Sequence, residues 1–259
     1  MRDVIGSQIV SSAAVRLGIR VALAVLFVAA AATALAQRAE PSDEAVARGV
    51  IERLMSHDVT GVLVSVESRI VTLRGTVPTL WVKNRAAEQA LKVADVVTVV
   101  NQVMVARGES DETLAGRVAD QLRRYVFLTV FDDADVAVDR GVVTLTGRVT
   151  MPDKSDAFVD LAERVPGVQA VRNEVKTLPV SRFDDQLRYA VARGIYGDNL
   201  FARYAFQANP PVHIIVEHGN VTLTGVVFSE VERRKAELIA RGTFAVMSVT
   251  NKLRTETDD

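Results

Sequence analysis

Residues 70–77 read "IVTLRGTV", and the phrase returns as "VVTLTGRV" at 142–149 and "NVTLTGVV" at 220–227. In each copy the apolar residues alternate with polar ones: Val71, Leu73, Gly75 and Val77; Val143, Leu145, Gly147 and Val149; Val221, Leu223, Gly225 and Val227. A period of two over eight residues is a strand with one buried face. Gly75, Gly147 and Gly225 lie 72 and 78 residues apart, and each is followed 26 positions later by an asparagine: Asn101, Asn173 and Asn251. A spacing kept three times marks one structural unit used three times.

The rest of the unit follows from its periodicities. Stretches 83–93, 155–165 and 231–240 mix small apolar and charged residues without Gly or Pro, as a helix packed on a sheet does. A closing strand carries Val99, Asn101 and Val103, then Val171, Asn173 and Val175, then Val249, Asn251 and Leu253. Upstream, Ser42, Ser110 and Ser181 stand at N-cap positions before helical patterns such as Val46, Val50 and Leu54. Short strands at 62–66, 136–138 and 212–216 then lead into tight hairpin turns. The expected fold is α+β: three tandem αββαβ units, each a three-stranded mixed sheet with two helices on one face, at 37–109, 110–180 and 181–259.

Residues 1–36 read as an export signal. Arg16 and Arg20 precede the uncharged run 21–36, and Ala34-Leu35-Ala36 supplies a small-x-small cleavage site. Cleavage after Ala36 gives a periplasmic protein; an uncleaved segment anchoring it to the inner membrane is the alternative, although the run is shorter than the roughly 20 apolar residues of a comfortable span. The chain has no cysteine, which excludes disulfides, thiolate metal sites and a cysteine nucleophile. Its net charge of −1 carries no basic field for nucleic acid.

The "V-T-L-x-G-x-V" strand, the helix after it and the closing "V-x-N-x-V/L" strand resemble the BON domain family over most of residues 43–254. That resemblance implies a small module of the cell envelope that binds phospholipid membranes or other envelope surfaces, with no catalytic set, no cofactor and no metal. The third unit departs most, because "GIYGDNLFARYAFQANPPVHI" lengthens its first helix-to-strand connection.

Each candidate site has a competing structural reading. Gly75, Gly147 and Gly225 fit close backbone approach, and the three asparagines fit buried amides pinning a loop carbonyl or strand end. Trp81, near Lys83 and Arg85, suits a membrane interface or covers the end of its own core. Tyr196, Phe201, Tyr204 and Phe206, with Arg193 and Arg203, form either a lipid- or partner-facing patch or the filling under a long loop. Gly194-Ile195-Tyr196-Gly197 reads as a turn. "FDDADVAVD" at 131–139 lacks the glycine and glutamate of a calcium loop and reads as a solvated loop entering a strand. His57, His213 and His218 have no metal or nucleophile geometry. The two functional expectations are attachment to anionic phospholipid through the third unit, and a protein adaptor or chaperone-like role among envelope proteins.

Overall fold

The computed structural model describes residues 42–207 and 209–256. Residues 1–36, read as an export signal, and the cleavage site expected after Ala36 lie outside the described residues. Each unit opens on a helix: α1 (Asp43–Ser56), α3 (Asp111–Arg123) and α5 (Arg182–Tyr196). Ser42, Ser110 and Ser181 cap them, accepting hydrogen bonds from the amides of Ala45, Thr113 and Asp184. A hairpin follows, β1 (Val62–Glu67) with β2 (Ile70–Val77), β4 (Asp133–Asp139) with β5 (Val142–Val149), and β7 (Val212–Glu217) with β8 (Asn220–Val227). The second helices are α2 (Leu80–Leu91), α4 (Pro152–Glu163) and α6 (Glu230–Gly242). They begin earlier than their apolar patterns, because Thr79 and Ser229 act as N-caps and Pro152 takes the first helical position.

The closing strands are β3 (Thr98–Val105), β6 (Ala170–Thr177) and β9 (Ser248–Asn251), with β10 (Arg254–Thr255) resuming after β9. The sheets run β1-β2-β3 and β4-β5-β6, the hairpins antiparallel and the closing strand parallel to the middle one. In the third unit β9 and β10 share the position next to β8. The fold is the expected one: three α+β units in tandem, each with two helices on one face of a mixed sheet. Buried Val71, Leu73 and Val77 on β2 face Val50 and Leu54 of α1 and Ala86 and Ala90 of α2 within one apolar core.

The repeated glycine is a consequence of hairpin register. Gly75, Gly147 and Gly225 pair with Val62, Ala134 and Val212 and take φ of 131°, 134° and 108°. A Cβ there would stand 2.2, 2.1 and 1.9 Å from the carbonyl oxygens of Gly61, Asp133 and Pro211. Both backbone conformation and space demand glycine.

Units 1 and 2 share one continuous apolar core, and unit 3 has its own. The first junction seats the α2 N-terminal end of unit 1 on the α4–β6 loop of unit 2. Gly167 N donates to Pro78 O (3.3 Å), Gln169 Nε2 to Val105 O (3.3 Å), and Asn84 Nδ2 to Glu163 Oε1 (2.9 Å). The second junction differs. Ile214 N donates to Val130 O (2.6 Å), Thr224 Oγ1 to Asp133 Oδ1 (2.8 Å), and Phe131 meets Tyr189 edge-on.

Candidate functional site

The three asparagines tie the last strand to the second helix. Asn101 Nδ2 donates to Lys83 O (2.9 Å), Asn173 Nδ2 to Ser155 Oγ (2.9 Å), and Asn251 Nδ2 to Arg233 O (2.9 Å). Each Oδ1 accepts the amide two residues on, from Val103, Val175 and Leu253. Asn101 and Asn251 are half-buried and Asn173 is exposed, so these amides are not the fully buried ones expected from the alternation. They lie at the sheet edge, where the helix covers them incompletely.

Trp81 is half-buried at the junction of units 1 and 2, with the guanidinium of Arg164 4.2 Å and that of Arg85 4.9 Å from its ring centre. Neither of its expected positions describes this. The ring is a cation-stacked spacer between two units.

The aromatic patch of unit 3 is largely interior. Phe201 and Tyr204 are buried in the core, and Tyr196 is half-buried with its hydroxyl donating to Val212 O (2.5 Å). Burial raises the Tyr196 phenol well above its ordinary range, against the opposing Val212 hydrogen bond. Arg203 pairs with buried Glu232, which also accepts from Tyr204 Oη (2.9 Å) and Phe228 N (2.9 Å). The long connection therefore fills the end of its own barrel-less sheet and docks on α6. Of the seven residues expected at a surface contact, Arg193 and Phe206 stand free in solvent, Phe206 at 94% exposure. Gly194 lies inside α5 and Gly197 caps it, so "GIYG" is the end of a helix, continued because Gly194 lets α6 approach at Ile239.

The segment expected as a solvated loop is also different. Asp132 is fully buried and Asp133 begins a strand. Asp132 accepts from Lys154 Nζ (2.5 Å), the amide and hydroxyl of Thr129 (2.9 and 2.7 Å), and the amide and hydroxyl of Thr150 (both 2.8 Å). Burial alone would raise its pKa, but these five donors outweigh it and hold the carboxyl below its usual range.

What remains exposed is a loop that sequence reasoning passed over. Arg123 ends α3, Arg124 caps it and Tyr125-Val126-Phe127 leads on, with Val126 83% and Phe127 64% exposed and no charged residue from Tyr125 to Phe131. Arg123 pairs with Asp120, whereas Arg124 makes no ion pair among the described residues. Arg123 and Leu128 also line a cleft of about 670 Å³ between units 2 and 3, whose other wall carries Lys252 and Arg254. The cleft also carries Asp133 and Asp135, which balance its cations; the two exposed apolar side chains just past Arg123 and Arg124 form a surface that can enter the headgroup layer of an anionic bilayer. Among the described residues, no cluster of acidic, histidine or cysteine side chains is arranged to hold a metal ion.

The BON domain family model matches residues 42–107, 110–179 and 199–257. The chain belongs to the BON domain family. It is 29% identical over 150 residues to osmotically-inducible protein Y of Escherichia coli (strain K12), covering 52% of this chain and 72% of that protein. Among solved structures it resembles CdsD, a structural protein of the type III secretion system of Chlamydia trachomatis (15% identity, 80% of this chain, 90% of that one, TM-score 0.25). It also resembles the periplasmic domain of the inner membrane protein PrgH from S. typhimurium (13% identity, 75% and 98% covered, TM-score 0.20). Those two superpositions are loose.

The BON units share one further device. Asp43 accepts from the amides of Ser68 and Arg69 (both 2.8 Å), Asp111 from Arg140 and Gly141 (2.6 and 2.9 Å), and Asp184 from His218 and Gly219 (3.0 and 2.8 Å). An acid in the first turn of each opening helix thus holds a hairpin turn whose two residues have positive φ. The acids of the first turns and the turn chemistry of the hairpins are both visible in sequence; their pairing across 25 to 35 residues is not.

Proposed function

We propose that this BON protein is a non-enzymatic envelope protein of the periplasm that attaches to anionic phospholipid surfaces. Family membership and the osmotically-inducible relative support an envelope stress role. The observation that carries membrane attachment is the exposure of Val126 and Phe127, separated by one residue from Arg123 and Arg124. The contact element is therefore the α3–β4 loop of unit 2 and not the aromatic segment of unit 3, whose Phe201 and Tyr204 are core residues.

The energetics suit reversible attachment. Full burial of Val126 and Phe127 contributes about 1.5–3 kcal/mol each, and each cation near an anionic surface adds about 1 kcal/mol. Among the described residues no helix is long and apolar enough to cross a membrane. Flotation of residues 37–259 with vesicles of graded phosphatidylglycerol content tests the reading. Binding should require the anionic lipid, weaken with salt, and fall at least tenfold in Val126→Asp/Phe127→Asp, with Phe206→Ala largely unaffected. Unchanged flotation of the double variant contradicts the assigned loop. No flotation of the parent chain transfers the function to protein partners in the envelope.

A further inference from the structure

The junction between units 1 and 2 is a template. It places the N-terminal end of a second helix, with Pro78, Trp81 and Asn84, on the loop after the next unit's second helix, with Glu163, Arg164 and Gly167. Registering the units on their repeated glycine and asparagine puts Asp153 and Asp156 of unit 2 where Trp81 and Asn84 stand in unit 1. The same register puts Arg241, Ala245 and Met247 of unit 3 where Glu163, Gly167 and Gln169 stand in unit 2. The backbone agrees with that register: Gly167 and Ala245 both have positive φ, at 96° and 68°.

Within the chain this second pair of ends is left open. Unit 3 packs on unit 2 through Val130, Asp133 and Phe131 instead. The loop after α6 consequently exposes Phe244 at 94% and Met247 at 72%, with half-exposed Phe183 beside Met247 around Gly219. The Met247–Phe183 pair around Gly219 and exposed Phe244 on the same loop as Met247 are the mark of a covered surface. On unit 2, Asp153 and Asp156 are exposed and make no ion pair among the described residues.

We propose that the chain self-associates by seating the α4 N-terminal end of unit 2 in one copy on the α6–β9 loop of unit 3 in another, repeating between copies the contact that joins units 1 and 2. Charge selects this occupant. Where Asn84 meets Glu163 in the first junction, Asp156 meets Arg241 in the second, a complementary contact that adds a carboxylate to the Arg241 guanidinium, which Glu237 of the same helix holds within the chain. The corresponding end of unit 3 would bring Arg234 against Arg241, like against like. The corresponding end of unit 1 is already occupied by unit 2. Such a contact is heterologous, one patch meeting a different patch, and each copy carries both halves.

The absence of cysteine makes the test direct. Full chains carrying Asp156→Cys alone and Arg241→Cys alone, with different tags, are mixed without lipid and oxidised mildly. The mixed disulfide should form well above either homodisulfide. A second measurement follows self-association by sedimentation: Arg241→Glu should weaken it about tenfold, Asp156→Arg likewise, and the two combined should restore it. Random disulfide pairing, absence of the mixed species, or an Asp156→Cys/Arg241→Cys variant that closes only within one chain overturns the proposal. Because no membrane is present, its failure leaves the lipid reading untouched, and failure of flotation leaves this result untouched.

Discussion

Lys154 Nζ lies 2.5 Å from Asp132 Oδ2, and both side chains are buried. Unit 3 has the opposite polarity at the equivalent helix position, where buried Glu232 pairs with Arg203. Unit 1 has Val82 there. One backbone position thus carries no charge, a cation or an anion, and each charged version brings its own partner from the connection before the hairpin.

Removing one member of the Asp132–Lys154 pair leaves the other charged and desolvated. Asp132→Asn and Lys154→Met should each cost about 3–5 kcal/mol, measured as a shift of the urea midpoint at constant slope. Asp132 has a lowered folded-state pKa, so its contribution is complete above the unfolded carboxylate value of about 3.9 and is lost as pH falls through the folded value. The parent chain should therefore lose stability below about pH 4, and Asp132→Asn should show less of that acid loss.

The neighbouring carboxylate behaves oppositely. Burial raises the pKa of Asp133, opposed by the Thr224 hydrogen bond and assisted by Asp135. A raised carboxyl pKa means that folding favours the proton, so this group weakens the folded state at neutral pH and less so as pH falls. Asp133→Asn keeps an acceptor for Thr224 and should raise Tm at pH 7, the reverse of Asp132→Asn.

Alanine at Gly75, Gly147 or Gly225 meets both a positive φ and a carbonyl oxygen within 2.2 Å of the new Cβ. Each substitution should destabilise its unit by about 2–4 kcal/mol, the sum of the backbone and overpacking costs. Hydrogen exchange should show the loss in the hairpin of the altered unit first.

The three turn-holding aspartates should rank by burial. Asp184 is buried and Asp43 and Asp111 are half-buried. Asp184→Ala orphans the buried amide of Gly219 and the part-buried amide of His218 and should cost about 2 kcal/mol, against about 1 kcal/mol for Asp43→Ala or Asp111→Ala. Chemical denaturation of the three variants checks the order.

The architecture was legible because its determinants are local. A strand alternation, a serine cap and a glycine opposite a carbonyl each impose a requirement within a few residues, and three copies repeat it. The site was less legible because its determinants are distant. Asp132 looked like part of a solvated loop because the residue that neutralises it, Lys154, is 22 positions away and the two threonines that solvate it flank the hairpin. Phe201 and Tyr204 looked available because an aromatic run in an inserted segment has no period to reveal its buried side. Val126 and Phe127 escaped notice for the same reason: a short apolar loop looks like core until its exposure is known. The aspartates holding the hairpin turns were hidden by register, since Asp43 and Asp111 occupy the first helical position and Asp184 the third.

Trp81 is the single tryptophan and is stacked under Arg85 and Arg164 at the junction of units 1 and 2. It therefore serves as an internal reference for the most direct measurement, fluorescence of Phe127→Trp on anionic vesicles containing lipids brominated along the acyl chain. A blue-shifted second emission that is quenched by shallow bromines is expected, with the Trp81 emission of the parent chain unquenched under the same conditions. An unshifted and unquenched Trp at position 127, in a protein that still floats with the vesicles, would contradict it.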